Sequence, residues 1–246
     1  MASGTRRRCA AATNRLSDTR DQCRSGRPIH WLALLLPAFS SGPAWADNCD
    51  QLPQPSVTVK RLEERLTVNT EYGYKALNQL GAAIAHSGHQ VLGLTRGNVI
   101  AQFSTTTPSY IDRTGQWECA SPQLTLTVGF SPMTVYVAKE FPRGSCAYNE
   151  IYRHELRHVK TYQEHLVNIE KELADTLRSR FATGSSWRAS VGQTRERLQR
   201  ELNERWLPFV QREIGRVDAT QALIDTPEEY ARVANTCNGE IKKRTL

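Results

Sequence analysis

Between Pro53 and about Phe141 the apolar positions recur mostly at every second residue, the period of a half-buried strand. Val57-Thr58-Val59 opens the pattern and Leu66-Thr67-Val68 continues it. Val91-Leu92-Gly93-Leu94-Thr95 and Val99-Ile100-Ala101-Gln102-Phe103 flank Arg96-Gly97-Asn98, which predicts a hairpin turn. Gln123–Phe130 alternates as a half-buried strand should, and Ser131-Pro132 then predicts a turn with Met133–Val137 pairing back. Tyr74–His86 (YKALNQLGAAIAH) breaks the alternation with the spacing of a short amphipathic helix. Residues 47–145 are thus expected to form a small, mainly antiparallel sheet with one helix.

Past Pro142-Arg143-Gly144-Ser145 the period changes. Cys146–Phe181 holds no Gly or Pro and is dense in Glu, Arg, Lys and Leu, which predicts one long helix. Thr183-Gly184-Ser185-Ser186 ends it, and Trp187 to about Val217 predicts a second helix with a kink at Pro208. The two should fold back as an antiparallel α-hairpin. Thr226-Pro227-Glu228-Glu229 marks the start of a further short helix. The expected class is α+β, with the sheet and the helical part (146–246) in one compact unit.

The first long helix carries His154-Glu155-Leu156-Arg157-His158, an H-E-x-x-H sequence, in its second or third turn. Residues four apart share one helix face, so both imidazoles can grip one metal ion while Glu155 handles a water proton. The same face continues through Ile151, Tyr162, His165, Leu166, Ile169 and Leu173, so it should pack inward. Catalytic zinc usually takes three protein ligands and keeps a position open for water. On an unbroken helix Glu164 points away, and His165 lies about 10 Å along the axis from His158. Glu170 and Glu172 are farther still. The returning helix offers Glu213, set in the apolar arc of Val191, Leu198, Leu202, Trp206, Phe209, Val210 and Val217. A carboxylate there is costly unless paired with an arginine or a metal. Counting back from Gly184 places residues 210–214 level with the histidines, so the expected set is His154, His158 and Glu213. Asp218 and Asp225 stand in reserve, as ligands or as acceptors for imidazole N–H groups. Tyr162 or Tyr230 could donate a hydrogen bond to an oxyanion. His86 and His89, around Ser87-Gly88, read as loop residues, and the charged run Arg195–Arg205 as a solvated helix face.

The N-terminus changes how charge and cysteine are counted. Ile29–Phe39 is an apolar run too short for a stable membrane span, preceded by arginines and followed by Ala44-Trp45-Ala46. That order predicts a secretory signal peptide, residues 1–46, cut after Ala46. No lipobox precedes Cys49, which argues against a lipid anchor. The leader holds seven arginines against Asp18 and Asp21, a net of +5, so the remainder keeps +2 of the chain's +7. Little then supports a nucleic-acid partner. Cys49, Cys119, Cys146 and Cys237 remain in the exported part, where two disulfides with three possible connectivities are expected. Periplasm or medium is the expected location.

Taken with the export signal and the preceding sheet, the motif resembles that of the bacterial secreted zinc-dependent proteases built around H-E-x-x-H. The resemblance runs from about Leu66 to Glu172. It rests on helix Tyr74–His86 after a strand, on Trp117-Glu118-Cys119 leading into strand Gln123–Phe130, and on Tyr152-Arg153-His154-Glu155-Leu156-Arg157-His158. It implies a zincin-like fold, Zn2+ at His154 and His158, and Glu155 as general base. The expected activity is hydrolysis of a peptide or protein substrate held in extended form at an outer strand such as Met133–Val137. The alternatives are a non-catalytic envelope protein stapled by its metal and an interaction module built on the helical hairpin.

Overall fold

The structure, a computed structural model, describes residues 48–62, 65–82 and 90–245. The expected signal peptide, the second part of helix Tyr74–His86, and His86 and His89 lie outside the described residues. The first part of that helix is α1 (Tyr74–Leu80).

Apolar alternation builds the main sheet around β6 (Gln123–Val137), which buries Leu124, Leu126, Val128 and Phe130, then Met133, Val135 and Val137. The inward positions change phase at Ser131-Pro132. There β6 stands opposite β3 (Gly93–Thr106), and the register slips: Gly97 pairs with Met133, but Val99 pairs with Phe130. One extra residue in β6 makes a bulge that returns the apolar side chains to the inner face. Pro132, which has no N–H to give the ladder, is tolerated at such a bulge. Both predicted turns are corrected by this pairing. Arg96-Gly97-Asn98 and Ser131-Pro132 do not reverse the chain; they face each other inside two long strands, because pairing on either side outweighs local turn chemistry.

β1 (Ser56–Arg61) and β2 (Thr67–Asn69) run parallel to β6 at residues 123–128 and 134–136, along the edge that β3 leaves free. Antiparallel pairing still predominates, as the alternation predicts. Met133–Val137, however, is interior, so it cannot be the outer strand expected to hold a substrate. β3 is paired on one edge only among the described residues.

A second sheet joins β4 (Ser109–Ile111), β5 (Trp117–Ala120) and β7 (Trp187–Ser190), antiparallel throughout. β7 replaces the predicted start of the second long helix. Trp187 pairs with Ala120 and stacks on Phe181 at 5.9 Å, with the Arg180 and Arg197 guanidinium groups over its ring. Gly192, at φ +86°, turns the chain, and only then does α3 (Gln193–Glu201) begin. Gly192 has no side chain to cap that helix. Glu118 does so from the neighbouring strand, its carboxylate accepting the Thr194 N–H at 2.9 Å and the Thr194 hydroxyl.

The long helix α2 (Cys146–Phe181) has the predicted bounds. Its Ser145 hydroxyl caps the N-terminus by accepting the Tyr148 N–H at 3.1 Å. Ile151, Val159, Leu166, Ile169, Leu173 and Leu177 are buried in one apolar core that includes the inner face of β6. Beyond α3 the helical chain continues through a π-helical turn (Leu202–Trp206), α4 (Leu207–Gly215) and α5 (Val217–Gln221). The wide turn lies where Pro208 cannot hydrogen-bond the carbonyl four residues back. Arg180 meets Glu201 at 2.6 Å, His165 Nε2 meets the Glu213 carbonyl at 3.0 Å, and His158 meets Gln221. The returning chain therefore runs opposite to α2. It ends in α6 (Pro227–Asn235) and α7 (Glu240–Thr245). The disulfides are Cys49–Cys119 and Cys146–Cys237; the latter ties the start of α2 to the link between α6 and α7.

Burial opposes ionisation of Glu118, but the bonds from Thr194 and the Gly192 backbone, with Arg195 nearby, hold its carboxyl below the ordinary 4.5. A lowered folded-state pKa contributes stability above about pH 4.5 that is lost as pH falls through the lower folded value. Glu118→Gln should therefore destabilise the chain by about 1 kcal/mol at neutral pH. The difference from the parent should narrow in denaturant titrations run progressively below pH 4.5.

Candidate metal centre

Helical spacing puts His154 and His158 on the buried face of α2, and the segment after α5 brings Asp225 to them. Asp225 Oδ1 lies 3.0 Å from His154 Nε2 and 3.3 Å from His158 Nε2, and the two Nε2 atoms are 3.3 Å apart. The far side of each ring is held. Gln221 Oε1 accepts from His158 Nδ1 at 2.6 Å, while the same amide donates from Nε2 to the His158 carbonyl at 3.1 Å. Glu229 Oε1 lies 3.2 Å from His154 Nδ1 and is held by Arg157 and by Arg232 at 2.8 Å, while Arg157 Nη2 also reaches His154 Nδ1 at 2.7 Å.

The Gln221 amide, whose nitrogen is committed to the His158 carbonyl, assigns the His158 proton to Nδ1, whereas His154 Nδ1 lies between Arg157 Nη2 at 2.7 Å and Glu229; both Nε2 atoms face the same Asp225 oxygen. The two Nε2 atoms and the Asp225 oxygen lie close enough to share a proton or a cation. Tetrahedral zinc with bonds near 2.0–2.1 Å spaces its ligand atoms by roughly 3.3 Å, which the three separations fit. His154, His158 and Asp225 thus form a group able to hold a metal ion. Burial alone would raise the Asp225 pKa, yet hydrogen bonds and charge from the two histidines hold it well below the carboxylate range. Burial would lower that of His158, but Asp225 and Glu155 raise it. Both shifts describe a place that favours positive charge.

Glu155 is only 3% exposed. Burial raises its pKa, against the opposing pull of the two histidines and Thr95. The Thr95 hydroxyl lies 2.8 Å from Glu155 Oε2 and 3.1 Å from its carbonyl. β3 passes so close here that a methyl on Gly93 would meet Glu155 Oε1 at 2.5 Å. His154, Glu155, His158 and Asp225 line a cavity of about 660 Å³ together with Tyr162, Asp218 and Tyr230. Burial first, then Asp225 and Glu155, push the Tyr230 hydroxyl up to about 12, so it stays protonated.

Of the remaining candidates, Glu213 does not join the group. It is buried, as its apolar arc predicts, but Arg216 engages its carboxylate at 2.5 Å. The registration against α2 explains the difference. Residues 187–190 were counted as helix but form β7, which shifts the returning chain by roughly three turns and puts Gln221, not Glu213, level with His158. Glu164 pairs with Lys160, Glu170 with Arg61, and His165 with the Glu213 carbonyl. Glu172 is exposed. Sequence reasoning did not find Gln221, Glu229, Arg157, Thr95 or Gly93. One signal was available: Thr226 and Glu229 have capping-box spacing, and the Thr226 hydroxyl accepts the Glu229 N–H at 3.2 Å. That fixes the start of α6 and sets Asp225 and Glu229 on either side of it.

No family model, curated protein or solved structure matches the chain.

The geometry separates the two carboxylates experimentally. In chelator competition with Zn2+, Asp225→Ala should weaken binding at least 100-fold, about the loss of one ligand. Glu213→Gln should leave it within about threefold, and Gln221→Ala or Glu229→Gln should cost about 10- to 100-fold. Equal losses for Asp225→Ala and Glu213→Gln would overturn the assignment.

Proposed function

We propose that the chain is an exported zinc-dependent metallohydrolase that cleaves peptide bonds, of the zincin-like kind that its H-E-x-x-H sequence resembles. The observation that carries this reading is the convergence of two imidazole nitrogens and a carboxylate oxygen beside a buried, protonatable glutamate at the wall of an open cavity. His154, His158 and Asp225 would hold the ion. A divalent cation there supplies Lewis acidity and makes a water proton easier to remove.

The protein's own groups do the rest. Glu155, its carboxyl already biased toward the protonated form, accepts the water proton and passes it to the leaving amine. Thr95 holds Glu155 in place, and Tyr230 offers an O–H to the oxygen of the attacked carbonyl. β3 replaces Met133–Val137 as the strand for an extended substrate, since it lines the cavity and keeps an edge unpaired among the described residues. Export is supported by the two disulfides, which suggest an oxidising compartment. No helix of the described residues is long and apolar enough to cross a membrane.

A structural staple is the rival reading. It is favoured by the way the three candidate ligands join α2 to the segment before α6. Glu155→Gln separates the two: peptide hydrolysis should fall about 10²- to 10⁴-fold with metal content unchanged. Gly93→Ala should also lower turnover, because its methyl displaces Glu155, again with the metal retained. Elemental analysis of the folded parent comes first; metal-free protein that folds normally removes both readings, and an inactive, metal-loaded parent leaves the staple.

A further inference from the structure

We propose that the cavity beside the metal centre selects peptides with a bulky apolar side chain next to the cleaved bond and a carboxylate beyond it. This rests on the hydrolase reading and names its substrate class. Four elements converge on the cavity with buried apolar side chains: Leu94 from β3, Ile151 from α2, Val233 from α6 and Ile241 from α7. Ala234 faces the same space with only a methyl group, which leaves room. At about 660 Å³ the cavity exceeds what a water and a scissile amide need and suits a large side chain.

Its charges are sorted. The lining carboxylates, Glu155, Asp218 and Asp225, belong to α2 and the chain returning along it. The lining Lys or Arg among the described residues is Lys242, on α7 next to the buried Ile241. Lys242 is exposed and enters none of the ion pairs among the described residues, whereas its neighbour Arg244 pairs with Glu240. An apolar side chain therefore fills the middle, and a carboxylate completes the charge at the α7 end. That carboxylate is either an Asp or Glu side chain or the peptide's own C-terminus.

Quenched fluorescent peptides test this on the zinc-loaded exported chain. Replacing Phe or Leu next to the bond by Ala should lower kcat/KM about tenfold or more. Ala234→Phe should remove that preference by slowing the Phe and Leu peptides while sparing the Ala peptide. Lys242→Glu, a change at the surface, should slow carboxylate-bearing peptides about tenfold relative to their neutral forms. Amidated C-termini and Gln-for-Glu replacements tell which carboxylate is read. Cleavage indifferent to side-chain size, or a Lys242→Glu enzyme that treats acid and amide alike, overturns the proposal while leaving the hydrolase standing. The converse is read by calorimetry on zinc-loaded Glu155→Gln. If peptides bind there in the expected ranking but the parent cleaves none, the pocket stands and hydrolysis falls.

Discussion

Two imidazole Nε2 atoms and a carboxylate oxygen meet beside α2, and the polypeptide holds them together. Two clamps do this, one behind each imidazole, and both come from the chain that returns along the helix. Gln221 grips His158 at ring and main-chain carbonyl at once, so the amide that holds the ring is itself anchored to the backbone of α2. Glu229 grips His154 and is gripped in turn. Its pKa, held down to about 2 by Arg232 first and by His154 and Arg157 against some burial, keeps it an acceptor throughout the physiological range. Arg232 also reaches Glu150 on α2 at 3.1 Å, closing a loop of charge from Glu150 through Arg232 and Glu229 to Arg157. Charge-assisted bonds of this kind fix direction as well as distance. The Cys146–Cys237 disulfide pins the same face of α2 to the chain beyond α6. The orientation of two rings is thus written into α5, α6 and a covalent link.

Burying a glutamate and two histidines on a helix would ordinarily be destabilising. Here each side chain has a polar partner from another element: Glu155 has Thr95, His158 has Gln221 and Asp225, and His154 has Glu229 and Asp225. The remainder of α2 supplies the packing. From Val159 to Phe181 its inner stripe is apolar and lies in the core with β6, so most of the helix anchors the part that carries the polar groups. That division also explains why the helix does not break after His158 to bring a local third ligand. Breaking it would expose the stripe.

α2 was legible to the residue, because a stretch without Gly or Pro, opened by a capping Ser, leaves helix as the cheapest way to bury one apolar stripe. The histidine face was legible for the same reason. The third member was not, because the register of a returning chain is set at a distance. Trp187–Ser190 has no strong local preference that sets it apart from a helix start; its pairing with β5 and the stack of Trp187 on Phe181 decide the matter. Glu213 met one of the two criteria applied to it, a place in a buried apolar arc, and failed the other, registration with the histidines, so its carboxylate meets Arg216 instead. The turns failed differently. Arg96-Gly97-Asn98 and Ser131-Pro132 carry real turn chemistry, which the fold uses as paired irregularities inside long strands. A phase shift in the apolar pattern, from even positions before Ser131 to odd positions after Pro132, was visible and would have marked the bulge.

β3 ties these features together. On one edge it pairs with β6 along nearly its whole length, which makes it rigid. Thr95, on the same strand, sets the position of Glu155, and Gly93 lets the backbone approach it without an intervening side chain. On the hydrolase reading, the edge of this strand that is unpaired among the described residues is also where an extended peptide would lie. The base and the bond it serves are then referenced to one element, so an error in placing one is shared by the other. Proton transfer falls off steeply with misplacement of even an ångström. A strand fixed by its sheet is a better common reference than two separate loops. Any residue larger than glycine at position 93 would push apart the two groups the strand holds in register.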